Sequence, residues 1–261
     1  MPLPNVVVLG SGNVATALAL AIENARAGEI VGIFSRNIEN ARALASRLSV
    51  ARAVDSPEDV TESADIYIVS LADDALAPVL ARIKPNGALW LHTSGSLDMS
   101  VLSHMSDRYG VFYPLQTFSL NREVDLSKVS LFTEGSTPEV EKEIAEFGKK
   151  IFKNIIHADS VTRSRMHVAA VFACNFTNYM WSIAHDLLAK NDISFDVLAP
   201  LLHETLSKAL TMPPREGQTG PARRGDLKII EAHAASLPPR EQEIYRLLSK
   251  CIMDDFYGNK E

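Results

Sequence analysis

Cysteine is almost missing from this chain of 261 residues: Cys174 and Cys251 are the only two. That excludes a disulfide framework, leaves no metal cluster that cysteines alone could build, and suits a reducing compartment. Runs of about 18 apolar residues are also missing, so no membrane helix is expected. The chain does not open with a basic region, an apolar stretch and a small-residue cleavage site. A soluble cytoplasmic protein is the expectation. Like charges never accumulate, since 26 Lys+Arg stand against 32 Asp+Glu for a net charge of −6. Without a basic stripe, nucleic acid is not an expected partner. Internal repeats and low-complexity segments are lacking too. With 46% hydrophobic and 22% charged residues, disorder, collagen and coiled coil are excluded. Single cores stop growing near ~250 residues, so the length suggests two lobes.

What is present is an alternation that stops. Val6-Val7-Val8-Leu9 is an unbroken β-branched run, as a parallel strand buried on both faces should be. It ends at Gly10, and a helix with Val14, Leu18 and Ile22 on one face follows. The next strand is predicted over Glu29 to Phe34, with a helix from Ile38 to Leu48 and a short strand near Ala51. Ile66 to Val69, a helix from Ala75 to Ile83, and Ala88 to Leu91 continue the pattern. Gly110 to Phe112, Val129 to Phe132 and Ile151 to Ile156 can extend the sheet. Thr137 as cap and Pro138 in first position open a helix to Lys150 between the last two. Strands separated by helices imply a doubly wound, mainly parallel α/β sheet of Rossmann type.

Beyond Asp159 the pattern is helical throughout. One stretch from about Val161 to Lys190 contains no Gly or Pro, and shorter ones follow at Phe195 to Leu210, Asp226 to Ala235 and Pro239 to Asp255. The expected organisation is a dinucleotide-binding domain over 1–157 and a helical substrate and dimerisation domain over 158–261.

Gly10-Ser11-Gly12-Asn13-Val14-Ala15 has the form G-x-G-x-x-A and stands between a predicted strand and a predicted helix. The first glycine permits a sharp turn, the second lets a pyrophosphate approach the backbone, and Ala15 allows close helix packing. Free amides at the helix N-terminus attract the phosphate charge. A tight turn without a ligand is the plainer alternative. After the second strand, where NAD would call for an acid, the chain has Ser35-Arg36-Asn37. A guanidinium and a hydroxyl suit a 2′-phosphate, which favours NADP, whereas a merely solvated Arg36 would carry no such meaning. Leu71, Thr93 and Ser94 lie past the fourth and fifth strands, where ligands of open α/β sheets sit, and could meet the nicotinamide half. Asp73 reads equally as a helix cap or as a ligand contact.

The long helix carries a polar stripe of Ser164, His167, Asn175, Asn178, Ser182 and His185 among Phe172, Phe176, Tyr179 and Trp181. An otherwise apolar helix must be buried on most sides. Its polar groups then face a wet cleft, or are satisfied in a core or at a subunit interface. The excess of aromatic surface predicts a homodimer through the helical domain. Between Met212 and Asp226 lies a turn-rich loop that places Thr219, Arg223 and Arg224 at a helix junction, with Asp226 as a cap.

Gly10 to Ala15, His92-Thr93-Ser94-Gly95, Pro114-Leu115-Gln116-Thr117-Phe118, the His167 to Asn175 helix and Thr219-Gly220-Pro221 through Arg224-Gly225-Asp226 together resemble one bacterial family over nearly the whole chain. It is the Rossmann-like family with a C-terminal helical domain of unknown function, whose members are labelled NADP oxidoreductases. More distantly the chain is similar to pyrroline-5-carboxylate reductase, ketopantoate reductase and the β-hydroxyacid dehydrogenases, with their 6-phosphogluconate dehydrogenase-like C-terminal domains. Two positions depart from these patterns. Asn175 matches the asparagine of β-hydroxyacid dehydrogenases, but Val171 occupies the place of their catalytic lysine, and Tyr113 stands where the closer family commonly has histidine.

The resemblance implies an NADP(H)-dependent oxidoreductase that moves hydride between the nicotinamide and a small keto or imine substrate. His167 is expected as proton donor or relay, Asn175 as the group orienting the carbonyl, and Ser94 near the carboxamide. Gly10, Ser11, Gly12, Asn13, Val14, Ser35, Arg36, Leu71, Thr93 and Ser94 are the expected cofactor contacts, with no metal. A non-catalytic NADP(H)-binding redox sensor or interaction protein on the same scaffold is the alternative.

Overall fold

Val6 to Leu9 offer no polar side chain to turn toward water, so the run is stable only where both faces are covered. It forms β1 (Asn5–Leu9), with Val6 to Leu9 all buried. The computed structural model describes residues 2–61, 63–120 and 122–258. The chain continues through α1 (Asn13–Asn24), β2 (Glu29–Phe34), α2 (Ile38–Ala45), β3 (Arg52–Val54), β4 (Ile66–Val69), α3 (Asp73–Leu80) and β5 (Leu89–His92). Then come β6 (Tyr109–Pro114), β7 (Ser130–Gly135), α4 (Pro138–Gly148) and β8 (Asn154–His157). Thr137 caps α4 by accepting the Val140 N–H, with Pro138 in first position.

The eight strands form one sheet in the order β3-β2-β1-β4-β5-β6-β7-β8. Every neighbouring pair is parallel except β6 with β7. The strand order reverses between β1 and β4, which places a ligand crevice outside their carboxyl ends. One face packs Val6, Val8, Ile33, Ile68 and Leu91 against α1, α2 and α4. The other packs Val7, Leu9, Tyr67, Val69 and Trp90 against α3, with the rings of Tyr67 and Trp90 stacked at 4.1 Å. The fold is the expected Rossmann-type α/β sheet followed by a helical region.

Helix α5 (Ser160–Ala170), capped by Asp159 through the Thr162 N–H, packs its Met166 against Val111, Tyr113, Phe132 and Ala158. A π-helical segment, Val171–Phe176, follows and leads into α6 (Thr177–Ala189). Beyond them are α7 (Ala199–Thr211), the short α8 (Pro221–Arg224), α9 (Leu227–Ala235) and α10 (Pro239–Tyr257). The chain falls into two compact units, Met1–Asn175 and Phe176–Glu261. The sheet itself ends at His157, and α5 belongs to the first unit because its apolar side packs on β6 and β7.

Two expectations about the long helix are corrected. It is not one regular α-helix, because the π segment departs from 100° per residue within 171–176. Nor is it buried on most sides within this chain, since Phe172 is 65% exposed and Trp181 43%. Among the described residues, no helix is long and apolar enough to cross a membrane. Both cysteines are free and exposed.

Candidate functional site

The glycine-rich turn of residues 10–15 begins where the ends of four strands, β1, β2, β4 and β5, are tied together by backbone bonds. Gly10 donates to the Phe34 carbonyl at 2.8 Å, Ser70 to Leu9 at 2.8 Å, and Thr93 to Val69 at 3.1 Å. Gly10 has φ +132°, and a Cβ there would stand 2.2 Å from the Ser70 carbonyl oxygen. Only glycine fits. Gly12 is the opposite case, because nothing lies within 4 Å of where its Cβ would be. Space is therefore open in front of the first amides of α1. No side chain caps those amides and the first turn carries no acid, so their donors and the helix dipole remain available to an anion. Ala15 is fully buried, and its methyl lies 3.6 Å from the Gly10 Cβ position, as close helix packing requires. These residues fit the diphosphate of a dinucleotide.

The flanks of the turn are held from two sides. Ser11 Oγ donates to Ser35 Oγ at 2.8 Å, and Asn13 Nδ2 donates to the Phe118 carbonyl at 2.8 Å. Val14 and Phe118 pack on the same core. Arg36 is exposed, and among the described residues it has no hydrogen-bond or ion-pair partner. Asn37 is engaged as the cap of α2, and the nearby acid, Glu39, is paired with Arg42 at 2.7 Å. The group free to meet a 2′-substituent at this strand end is thus a cation beside a hydroxyl, the pairing that suits phosphate.

Leu71 is partly buried against the core. Asp73 does not cap α3. Ala72 holds that position, and Asp73 with Asp74 fills the first turn, where the helix dipole favours them. Thr93 Oγ1 donates to Ser70 Oγ at 3.1 Å. Ser94 Oγ accepts the N–H groups of Ser96 and Leu97, both at 3.1 Å, which leaves its hydroxyl proton to give. Beneath this turn His92 is fully buried. Burial first and the Arg163 charge second depress its pKa to about 3, so it is neutral and its Nδ1 accepts the Ser94 N–H at 3.2 Å.

His167 stands at the carboxyl ends of β5 and β6. A Cβ on Gly95 would lie 2.6 Å from its ring, so the imidazole occupies the space that glycine leaves. His167 Nδ1 is 2.9 Å from the Tyr113 hydroxyl. Burial holds the Tyr113 phenol above its usual range, so it keeps its proton and can serve as a hydrogen-bond donor. Tyr113, Gln116, Thr117, His167 and Asn175 line one cavity of about 500 Å³ whose remaining wall is mostly apolar. His167 and Asn175 are therefore brought together. Of the other stripe residues, Asn178, Ser182 and His185 lie on α6 and are exposed, Ser182 bonding the Asn178 carbonyl and His185 pairing with Asp186. A larger cavity of about 900 Å³ opens at the amino ends of β4 and β5. It lies at the sheet edge away from the glycine-rich turn, and its Arg108 is already bonded to Glu143 and the Gly87 carbonyl. Among the described residues no group of acidic, His or Cys side chains could hold a metal.

The loop before α8 is fastened within its own unit. Arg223 stacks over the Phe256 ring at 4.0 Å, the Tyr257 hydroxyl donates to the Arg223 carbonyl at 2.6 Å, and Arg215 pairs with Asp255 at 2.5 Å. Asp226 caps α9. Sequence reasoning missed the pairing of His167 with Tyr113 and the buried Arg163–Glu134 ion pair, 2.7 Å long. The available signal for the latter was an arginine one helical turn before His167 on a helix expected to be covered. Removing one member of such a pair costs about 3–5 kcal/mol.

Residues 5–90 match the family described as NADP oxidoreductase coenzyme F420-dependent, and residues 129–252 match a domain of unknown function, DUF2520. No curated protein matches. Among solved structures, the chain is 40% identical to the "putative NADP oxidoreductase BF3122" of Bacteroides fragilis, covering 96% of this chain and 98% of that one with a TM-score of 0.92. A reductive aminase from Aspergillus terreus, solved with NADPH and ethyl-5-oxohexanoate, shares the fold at 16% identity, 96% and 92% coverage and a TM-score of 0.71. A Streptomyces aurantiacus imine reductase does so at 17% identity, 97% and 93% coverage and 0.67. With two matched domains in this order and 40% identity across nearly the full length of both chains, the protein belongs to the NADP oxidoreductase family that joins a Rossmann-like N-terminal domain to a DUF2520 region.

Proposed function

We propose that the protein is an NADP(H)-dependent oxidoreductase acting on a small keto or imine compound. One observation carries the reading. His167, hydrogen-bonded to Tyr113, lines the same cavity as Asn175 and lies against the turn after β5, on the sheet edge that also carries the phosphate turn. When bound, NADPH supplies a hydride from its nicotinamide ring, and the reverse reaction returns one. The amides of Gly12 to Val14 would hold the diphosphate, with Ser11 and Asn13 fixing the turn. Ser35 and Arg36 would hold a 2′-phosphate. Leu71, Thr93 and Ser94 would flank the nicotinamide half, Ser94 giving its hydroxyl proton to the carboxamide. His167 would place a proton on the substrate oxygen or nitrogen, directly or by relay from Tyr113, while Asn175 orients that atom.

The second reading, a non-catalytic NADP(H)-binding sensor, draws on Val171 standing where related dehydrogenases have lysine. Exposed Phe176, Trp181, Leu201 and Leu210 in the second unit support a homodimer through helical surfaces, which would make 158–261 the substrate and dimerisation domain. The two free cysteines suit the cytoplasm.

Turnover with NADPH against small ketones, keto acids and cyclic imines tests the reading. His167→Ala should lower turnover by ~10²–10⁴-fold and leave NADPH affinity nearly intact. A variant that melts lower but keeps the specific activity of its folded fraction would refute the proton-donor role. Binding of NADPH without turnover of any of these compounds would favour the sensor.

A further inference from the structure

One turn before His167 on α5, Arg163 is fully buried and fastens three pieces of chain to one another. Its Nη1 donates to Glu134 Oε2 on β7 at 2.7 Å, and its Nη2 donates to the Leu97 carbonyl and to Ser160 Oγ, the latter at 3.2 Å. Ser160 completes the knot. Its N–H donates to Glu134 Oε1 at 3.1 Å, its hydroxyl donates to Glu134 Oε2 at 2.7 Å, and its Oγ accepts the Met99 N–H at 3.3 Å. A cation taken out of water persists only with such a set of partners. Neither Arg163 nor Glu134 lines the cavity, so their use is not contact with a substrate.

Their position explains the approach of His167 to Gly95. The two walls of that contact are α5, which carries His167, and the 94–97 turn, which carries Gly95. Arg163 holds both, being four residues before His167 and bonded to Leu97, two residues after Gly95. We propose that Arg163, neutralised by Glu134, is a positioning residue: it fixes the distance between α5 and the 94–97 turn and so keeps His167 Nδ1 on the Tyr113 hydroxyl. Burial, and after it the same cation, disfavours protonation of His92, which preserves the bond from Ser94 N–H at the start of that turn. The catalytic meaning of this role rests on His167 being the proton donor.

The test uses the full chain without ligand and reads the ring nitrogens of ¹⁵N-labelled His167 by NMR, with Tyr113→Phe as the reference for the broken contact. Two variants are compared: Glu134→Gln, and Arg163→Met combined with Glu134→Met, in which an apolar pair replaces the ionic one. We expect both to stay folded, Glu134→Gln with a lower melting temperature because its arginine is left unpaired, and the β1 methyl signals to be unchanged. In both, the His167 tautomer ratio should shift several-fold toward that of Tyr113→Phe. Folded variants that keep the wild-type ring shifts would overturn the proposal. Unfolding of both would overturn it as well, because the pair would then hold the fold rather than the histidine. Because the readout needs no substrate, a result of unchanged turnover in His167→Ala would end the proton-donor reading while leaving the ring-shift answer standing by itself.

Discussion

Replacing Gly10 and Gly12 separately by alanine should divide stability from cofactor binding, because the two glycines are needed for different reasons. At Gly10 the backbone sits at φ +132°, where a side chain costs about 1–3 kcal/mol. The added methyl would also meet the Ser70 carbonyl at 2.2 Å, and Ser70 is tied through its own N–H to Leu9. Gly10→Ala should therefore fall at the upper end of that range or beyond. With about 2–4 °C per kcal/mol for a domain of this size, the melting temperature should drop by roughly 6–12 °C. Gly12 sits at φ −76° and ψ −172°, a conformation open to any residue, with nothing near its Cβ position. Alanine there reduces unfolded-state freedom, worth about 0.4–1 kcal/mol, and is a poorer cap than glycine by a similar amount. The melting temperature should hardly move. The methyl does, however, stand where a diphosphate must approach the amides. Loss of one or two charge-assisted bonds, about 1.5–3 kcal/mol, would weaken NADPH roughly 10- to 150-fold. Calorimetric titration and thermal melts on both variants check this. Gly12→Ala binding NADPH like the unmutated protein, or both variants melting alike, would refute the reasoning.

Other perturbations read other parts of the site. Arg36→Ala should cost roughly 1.5–3 kcal/mol of NADPH affinity, leave NADH little changed and leave the melting temperature within about 2 °C, since the side chain is exposed; tighter NADH than NADPH binding by the unmutated protein would sink the assignment. Light scattering across micromolar concentrations should give twice the chain mass of 28.6 kDa, and a monomer throughout would refute the dimer. His92 carries a pH dependence of definite sign. Its folded pKa of about 3 lies below the ordinary value of 6.5, so between those values the unfolded chain binds a proton that the folded one does not. Stability should decline as pH falls from 6.5 toward 3, by up to a few kcal/mol, and His92→Gln should flatten that decline in urea melts at stepped pH. An unchanged slope would mean that other groups dominate.

The strands and the glycine-rich turn were legible because each depends on local chemistry. Val6 to Leu9 can only be a covered strand, Gly10 and Gly12 bracket a turn, and Thr137-Pro138 starts a helix wherever it stands. Strand order and the antiparallel pairing of β6 with β7 were not legible, since they follow from contacts between distant segments. Periodicity at a fixed 100° per residue hid the π segment at 171–176, and aromatic content suggested burial where this chain alone leaves Phe172 and Trp181 exposed. The candidate site divides in the same way. Glycines, Arg36, His167 and Asn175 stand out by residue type and spacing. That His167 bonds Tyr113, rests on Gly95 and is anchored one turn back by Arg163 on Glu134 depends on residues up to 72 positions apart. Sequence fixes the chemistry each position can offer, whereas only packing of α5 on β6 and β7 decides which of those groups meet.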